Sequence, residues 1–171
     1  MRGLPSPVIG WRGEPWIAEG QIVAVRARDS PAAKAGAEVS RASGFPLVAP
    51  EAPGGLVPVV SFKVPRRHVA ILRQWAAEPD ALGQGLVKIV LDFSGDRTLA
   101  PPVLRGLAGS LDRPFEIAHV IPEDREIAIL AQVDDDSSWH LIEAFIAGDL
   151  VEMSEIEREQ SGGGLATGLS K

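Results

Sequence analysis

The stretch QIVAVRARDSPAAKAGAEVSRASG, residues 21–44, decides how the fold is interpreted, because an apolar strand pattern runs directly into a helix start. The first part contains the apolar run Ile22–Val25 and then two arginines. A short apolar run that is rich in β-branched residues and bounded by polar ones favours a buried strand. The sequence therefore predicts a strand over residues 20–28.

The second part of this stretch carries the signals of a helix with defined ends. Asp29 and Ser30 are residues that commonly cap a helix, and Pro31 suits the first helical position, where its missing N–H is not needed. Gly44 is the residue type that most often follows the last turn. The sequence therefore predicts a helix over residues 31–42 that stops at Gly44.

The rest of the chain repeats this kind of unit. Further strands are predicted over 45–50, 56–64, 86–93, 115–121, 127–133 and 151–156, and further helices over 66–77, 99–111 and 137–147. The order β-α-β-β-α is followed by β-α-β-β-α-β. We therefore expect an α+β fold with two ferredoxin-like βαββα(β) units in tandem, each an antiparallel sheet with its helices on one face.

Composition suggests where these units begin and end. The predicted organisation is an irregular Trp/Pro arm over 1–18, a first unit over 19–78, a linker over 79–85, a second unit over 86–157 and a flexible Gly-rich tail over 158–171.

Charge and cysteine usage narrow the classes of function. The chain has no cysteine, which excludes disulfides, thiol nucleophiles and Cys-ligated metals. No apolar run is long enough to span a membrane and no secretory signal is evident, so we expect a cytoplasmic protein. Residues 1–75 carry ten Lys/Arg and five Asp/Glu, and the remainder carries seven and eighteen. The basic residues are dispersed without interleaved aromatic residues, which argues against nucleic-acid binding.

The opening stretch resembles the first βα unit of the ACT domain family, whose pattern is an apolar strand, Asp-x-Pro-Gly and a helix. The matching residues are Ile22–Val25, Asp29, Pro31 and the helix to Gly44, while Ala32 stands where the family has glycine. The resemblance implies a regulatory module that binds an amino acid or another small metabolite at an interface and performs no chemistry.

For the first unit, the resemblance implies ligand binding at the turn formed by Asp29, Ser30, Pro31 and Ala32. The second unit is similar to ACT-like or NIL-type ligand-sensing domains in its order of elements. It has Ser94, Gly95 and Asp96 in place of the Asp-x-Pro-Gly turn, and these three residues are its candidate ligand site.

The most polar cluster is VDDDSSWH, residues 133–140. Asp134, Asp135, Asp136 and His140 are residue types that could hold a metal ion. The interpretation we favour is instead that Asp136 or Ser137 caps the predicted helix, with acidic residues at the positive end of its dipole. We therefore predict no metal site and no cofactor.

Two other groups of residues are candidates for partner contacts. Trp11 and Trp16 lie in the predicted arm, where they could anchor it to the body or to another protein. Arg66 and Arg67 stand at the predicted start of a helix, where an anionic group could bind.

His119 falls on the apolar face of its predicted strand and is interpreted as a core or interface histidine.

These observations favour a non-catalytic regulatory module that senses an amino acid or another small metabolite and acts through a homodimer or a protein partner. A structural or assembly subunit of a larger complex, including a phage-type particle that uses the N-terminal arm, is the alternative. An enzyme that uses His119 or His140 is a minor alternative, since no phosphate loop, dinucleotide motif or assignable triad is present.

Overall fold

The computed structural model describes residues 13–80, 87–92, 104–105 and 111–154. Its elements in chain order are β1 (Glu14–Ala24), α1 (Pro31–Ser43), β2 (Leu47–Val48), β3 (Val57–Lys63), β4 (His68–Pro79), β5 (Val87–Asp92), β6 (Leu104–Arg105), β7 (Phe115–Ile121), β8 (Glu126–Val133) and β9 (His140–Glu152). Both an α-helix and β-sheets are present, and strands predominate.

The strands form two sheets. The five-stranded sheet has the order β2-β1-β9-β4-β7, and the four-stranded sheet has the order β3-β8-β5-β6. Only the short pairing of β1 with β2 is parallel among the described strands. The core lies between the sheets, where aliphatic side chains from both, such as Leu72, Ile89, Ile129 and Ile142, form one buried cluster. Burial of this cluster is the main stabilising contribution to the fold.

A glycine in β1 lets the two sheets approach each other closely. A Cβ at Gly20 would collide with the carbonyl oxygen of Val59, which lies on β3. Val59 is also where β3 shifts its register against β8, between Pro58 and Val60. The irregular residue of β3 therefore packs its backbone against β1, and any side chain at residue 20 would push the sheets apart.

Several elements predicted from the sequence are confirmed. The helix of the opening stretch is α1, and Gly44 follows it with a left-handed φ of 80°, as a C-terminal glycine should. Strands β3, β5, β7 and β8 lie where the alternation places them. The predicted hairpin over 115–133 is wrong, because β7 pairs with β4 in the five-stranded sheet and β8 pairs with β3 and β5 in the four-stranded sheet.

The predicted helix over 66–77 is wrong, because these residues belong largely to β4. Ala70, Leu72, Trp75 and Ala77 face the core. A register shift between Leu72 and Gln74 inserts one extra residue, so the core-facing spacing becomes two, three, two. This spacing resembles the apolar stripe of a helix. Because β4 is buried on both faces, its sequence also lacks the apolar–polar alternation that is typical of a strand with one exposed face.

The predicted helix over 137–147 is also wrong, since β9 runs from His140 to Glu152. Of the predicted last strand over 151–156, residues 151–152 belong to β9, residues 153–154 are helical, and residues 155–156 lie outside the described ranges. Ile142 and Ile146 face the core, but Leu141 and Phe145 on the other face are apolar as well and only partly exposed. Apolar residues on both faces hide the alternation. Of the predicted helix over 99–111, residues 104–105 are strand β6, and most of the rest lies outside the described residues.

The two sheets do not follow the predicted division of the chain into two units. Each sheet contains strands from both sides of residues 79–85, because β1 and β4 of the first half pair with β9 of the second. The two ferredoxin-like units are therefore not confirmed. Residues 14–18 of the predicted irregular arm lie in β1, while residues 1–12 of that arm and the tail from 158 lie outside the described residues.

Candidate functional site

The register of the five-stranded sheet brings distant segments together at one end of the molecule. Ala24, the last residue of β1, lies opposite His140, the first residue of β9. Pro79, the last residue of β4, lies opposite Ile142. The segments that follow β1 and β4 and precede β9 therefore meet. We call this region the loop end, and it comprises residues 25–32, 50–54, 80 and 134–140.

The turn that the sequence singled out lies directly against the segment 134–140. The backbone N–H of Ala32 donates to the carbonyl oxygen of Asp136 at 3.3 Å. The guanidinium of Arg26 donates to the carboxylate of the same Asp136 at 2.9 Å. Gly54 N–H in turn donates to the carbonyl of Arg26 at 3.0 Å. The start of α1 is thus fixed to two other segments of the loop end.

A cavity of about 450 Å³ opens beside this turn. It is lined by Ala27, Arg28, Asp29, Pro50, Glu51 and Pro53. The three charged side chains are exposed at its rim, while Ala27 and Pro50 are buried in its wall. One guanidinium and two carboxylates around an apolar wall can bind a small molecule that carries both charges.

The other residues of the predicted turn have structural roles. Pro31 opens α1, and Ala32 is buried. Ser30 is the N-cap residue, but its side chain does not cap the helix, and its buried Oγ has no hydrogen-bond partner in the described part of the chain. The second predicted ligand site, Ser94, Gly95 and Asp96, lies outside the described residues.

A buried histidine lies in the interior of the loop end. His140 is fully buried, and its Nδ1 lies 3.2 Å from Oδ1 of Asp80. The other carboxylate oxygen of Asp80 accepts the N–H of Leu141 at 2.8 Å, and the N–H of Asp80 donates to the carbonyl of Leu141. Asp80 therefore fixes both the imidazole and the adjoining backbone of β9. Nε2 of His140 has no partner among the residues that the structure describes.

The three consecutive aspartates do not converge on one point. Asp134 lies 3.9 Å from Nζ of Lys88, and Asp136 pairs with Arg26. Asp135 turns back onto its own loop instead. No cluster of three ligating side chains that could hold a metal ion occurs in the described ranges. The capping interpretation is wrong as well, because β9 rather than a helix follows these residues.

Asp135 organises the loop before β9. Its carboxylate accepts the hydroxyl of Ser138 at 2.6 Å, and both the N–H and the hydroxyl of Ser137 at 2.9 and 2.8 Å. These hydrogen bonds, first that from Ser138, lower the pKa of Asp135 to about 2, and the charge of His140 adds a smaller effect in the same direction. The loop is therefore held by a carboxylate that stays ionised in all but strongly acidic solution.

The opposite end of the molecule holds two of the predicted partner-binding residues. We call it the turn end, and it comprises residues 64–67, 122–125 and 152–153. The turns at 64–67 and 122–125 each join a strand of one sheet to a strand of the other. Arg66 and Arg67 lie in a turn between β3 and β4 rather than at a helix start, because the predicted helix is a strand. The N–H of Arg67 donates to the carboxylate of Glu123 at 2.7 Å, and Arg66 lies 3.7 Å from Asp124.

The remaining candidates lie on strands. Trp16 lies in β1, and its ring stacks on that of Phe62 with centroids 4.2 Å apart, so it packs onto the body of the protein. Trp11 is outside the described residues. His119 lies on β7, where partial burial lowers the pKa of its imidazole.

Sequence reasoning missed three residues of the loop end. Arg28 was treated only as the end of a strand, and Glu51 and Asp80 were assigned to a loop and a linker. Asp80 and His140 are 60 positions apart, and Glu51 follows Asp29 by 22 positions. No local spacing connects these residues, because strand pairing alone brings them together. Only Glu51 had a local signal, because it directly follows the apolar segment 45–50.

No protein-family model, curated protein or solved structure matches this chain. No helix in the described part of the chain is long and apolar enough to cross a membrane.

Proposed function

We propose that this protein is a non-catalytic regulatory module that senses an amino acid or a similar small zwitterionic metabolite at the loop end. The observation that carries this proposal is the cavity of about 450 Å³ between Arg28, Asp29 and Glu51. Its volume lies within the range of small-molecule sites, roughly 300–1,000 Å³. The ACT-like turn of the sequence, Asp29-Ser30-Pro31, implies the same class of ligand.

The charges of the cavity suit the two ends of an amino acid. The planar guanidinium of Arg28 can bind an α-carboxylate through two parallel hydrogen bonds. Asp29 and Glu51 can accept hydrogen bonds from an α-ammonium group, which has three donors and no acceptor. The apolar wall formed by Ala27 and Pro50 leaves room for a ligand side chain. A ligand with only one kind of charge would leave part of this rim unpaired.

A bound ligand would reach the rest of the loop end through short connections. Arg28 and Asp29 lie between Arg26, which pairs with Asp136, and Ala32, which donates to the same residue. Any displacement of the turn therefore acts on the segment before β9 and on the start of α1. We propose that the regulatory effect passes through this segment and this helix to a second copy of the chain or to a partner protein.

The test is thermal unfolding of the whole chain in the presence of each of the twenty standard amino acids. A ligand that binds only the folded state at a hundredfold excess over its Kd adds about 2.7 kcal/mol of stability. For a protein of this size, that corresponds to a Tm increase of roughly 5–10 °C. The proposal predicts such an increase for one amino acid or a few related ones.

Two pairs of variants decide whether the increase arises at this cavity. Arg28→Gln and Asp29→Asn are expected to abolish it. Arg66→Gln and Asp124→Asn remove the same charges from an exposed pair at the turn end and are expected to leave the Tm increase unchanged. A Tm that no amino acid changes, or an increase that persists in both cavity variants, would contradict the proposal.

A further inference from the structure

The five-stranded sheet has an outer face, directed away from the four-stranded sheet, that α1 covers only in part. Val23 and Val25 alternate with the core-facing Ala24, and both are buried. α1 lies over this region at close range, since a Cβ added to Gly36 would lie 3.2 Å from Leu47 and 3.4 Å from Val25 and Trp139. A helix therefore already packs on this face near the loop end.

Farther along the same face, the register places mixed apolar and acidic side chains in rows. Ile17 lies opposite Ala147, Glu19 lies opposite Phe145, and Glu143 lies next to Gln21. Ile17 is 59% exposed although it is a large aliphatic residue. We call this region the open face, and it comprises residues 17, 19, 21, 74, 78, 143, 145 and 147. Ala76, which lies between residues 74 and 78 on β4, is fully buried.

Two adjoining cavities follow the open face. One of about 350 Å³ lies among Ile17, Glu19, Glu143, Phe145 and Leu111. The other, of about 560 Å³, continues past Ala147 toward Gln74 and Glu116. Since Ala147 lies directly opposite Ile17 on the neighbouring strand, the two cavities form one groove across the sheet.

The groove is acidic, and its carboxylates are arranged unfavourably for the isolated protein. Glu78 lies beside the groove, directly opposite Glu143 on the adjacent antiparallel strand, and both are partly buried. One carboxylate oxygen of Glu78 accepts the N–H of Leu111 at 3.5 Å. Like charges in directly opposed positions of a sheet destabilise it. Among the described residues that line the two cavities there is one cation, Arg73, and it pairs with Asp149 at 3.0 Å. Positive charge from outside would relieve the repulsion between Glu78 and Glu143.

We propose that the open face is the docking site for a basic amphipathic helix of a partner protein. Lysine or arginine side chains of that helix would lie between Glu78 and Glu143, and its apolar stripe would cover Ile17 and Phe145. Sheet faces are buried by helices in two-layer folds, and α1 already occupies the same face next to this region. The partner site does not depend on the ligand site at the loop end.

Charge argues against the other occupants. A second copy of this chain would bring its own open face, so that carboxylates would oppose carboxylates, and the whole chain already has a net charge of −6. Nucleic acid and anionic lipid would meet the same repulsion. A basic helix is the occupant that the lining carboxylates Glu19, Glu116 and Glu143 attract, whereas Asp149 is already paired with Arg73.

The experiment uses the absence of cysteine from the sequence. Ile17→Cys provides a single thiol on the open face, and its rate of reaction with a thiol reagent reports coverage of that face. The probe is a synthetic helical peptide with a leucine stripe flanked by lysines, and the matched peptide has glutamate in place of each lysine. We expect the lysine peptide to slow the reaction of the introduced thiol by about tenfold or more at saturation, and the glutamate peptide to have no effect.

A charge-matched pair of variants identifies the carboxylates. In the Ile17→Cys background, Glu78→Gln with Glu143→Gln should raise the Kd of the lysine peptide about tenfold. Glu38→Gln with Glu126→Gln, which removes two exposed carboxylates elsewhere, should leave the Kd within about twofold. The Kd should also rise with salt concentration because the attraction is electrostatic.

Four results would overturn the proposal. The first is a lysine peptide that fails to protect the introduced thiol, and the second is protection of the same strength in the Glu78→Gln, Glu143→Gln variant. The third is a thiol that is already unreactive in the free Ile17→Cys protein, which would assign the open face to another segment of this chain. The fourth is formation of disulfide-linked dimers by the free Ile17→Cys protein, which would assign it to a second copy.

Discussion

The turn end and the loop end of the same two sheets are built in different ways. At the turn end, the contacts between segments are backbone hydrogen bonds, such as that from Met153 N–H to the carbonyl of Arg67, and exposed side-chain pairs, such as Arg66–Asp124. At the loop end, Arg26, Asp80 and Asp136 connect segments that are 60 to 110 positions apart. The loop end also contains the buried groups Ser30 Oγ and His140 Nε2, which have no partner in the described part of the chain.

The comparison indicates where the fold is constrained by function. Buried polar atoms are nearly always hydrogen-bonded, and each exception requires a physical reason. The turn end has the backbone and exposed side-chain interactions expected of turns that only connect strands. The loop end contains two of the three buried side-chain atoms that have no partner in the described ranges, the third being Trp16 Nε1 on β1, and charged side chains of the loop end line a cavity. This contrast supports the proposed ligand site at the loop end.

The largest expected difference between the two ends concerns their histidines. His140→Ala should lower the free energy of unfolding by about 3 kcal/mol, because it leaves a cavity and removes the partner of Asp80. His68→Ala should lower it by about 1 kcal/mol or less, since His68 is partly exposed and bonds only to the carbonyl of Arg66 nearby. Urea unfolding of both variants measures this. Equal losses would remove the distinction between the ends.

A smaller effect should appear in acid at the loop end. The pKa of Asp135 lies at about 2 in the folded protein, below its value of 3.8 in an unfolded chain. The ionised carboxylate therefore stabilises the fold fully above about pH 4, and this contribution is lost as the pH falls toward 2. The stability difference between the wild type and Asp135→Asn should shrink over that interval, as measured by urea unfolding at each pH.

The cause of this low pKa can be tested separately. Ser138→Ala removes the hydroxyl that contributes most, so an NMR titration of the Asp135 carboxyl should give a higher pKa in this variant. An unchanged pKa would show that the serine hydrogen bonds do not order the loop.

The smallest expected difference concerns two ion pairs. Arg26→Gln should cost about 0.5–1 kcal/mol, because Arg26 and Asp136 lie 2.9 Å apart and join two segments. Arg66→Gln should cost about 0.2 kcal/mol or less, since its partner is 3.7 Å away and the arginine is 86% exposed. Chemical unfolding of both variants in low and high salt sharpens the comparison. A larger loss for Arg66→Gln would reverse it.

Local signals were sufficient for the elements whose stabilisation is local. α1 has a proline start and a glycine stop, and strands β7 and β8 have clear alternation on either side of a polar turn. These features depend on propensity and on neighbouring residues, so they can be predicted from a single sequence.

The central strands could not be predicted in this way. β4 contains a bulge between Leu72 and Gln74 that changes its period, and β4 and β9 both carry apolar residues on two faces. Their identity as strands depends on pairing with each other over 11 positions, which no local pattern encodes. Because these helix assignments failed, the order of the sheets could not be derived either.

The candidate site was predicted in part for the same reason. Asp29 follows from the turn motif, which is local. Glu51 reaches the cavity because β2 pairs with β1, and Asp80 reaches His140 because β4 pairs with β9. The residues that complete the site are therefore determined by the sheet topology.

The measurement that tests the assignment of the loop end most directly is an NMR titration of the ¹⁵N-labelled protein with the amino acid that raises its Tm most. The account predicts that the amide signals of Arg28, Asp29 and Glu51 shift with a single Kd, that those of residues 134–140 follow, and that those of residues 64–67 and 122–125 stay unchanged. Shifts concentrated at the turn end, or the absence of shifts with any amino acid, would contradict the account.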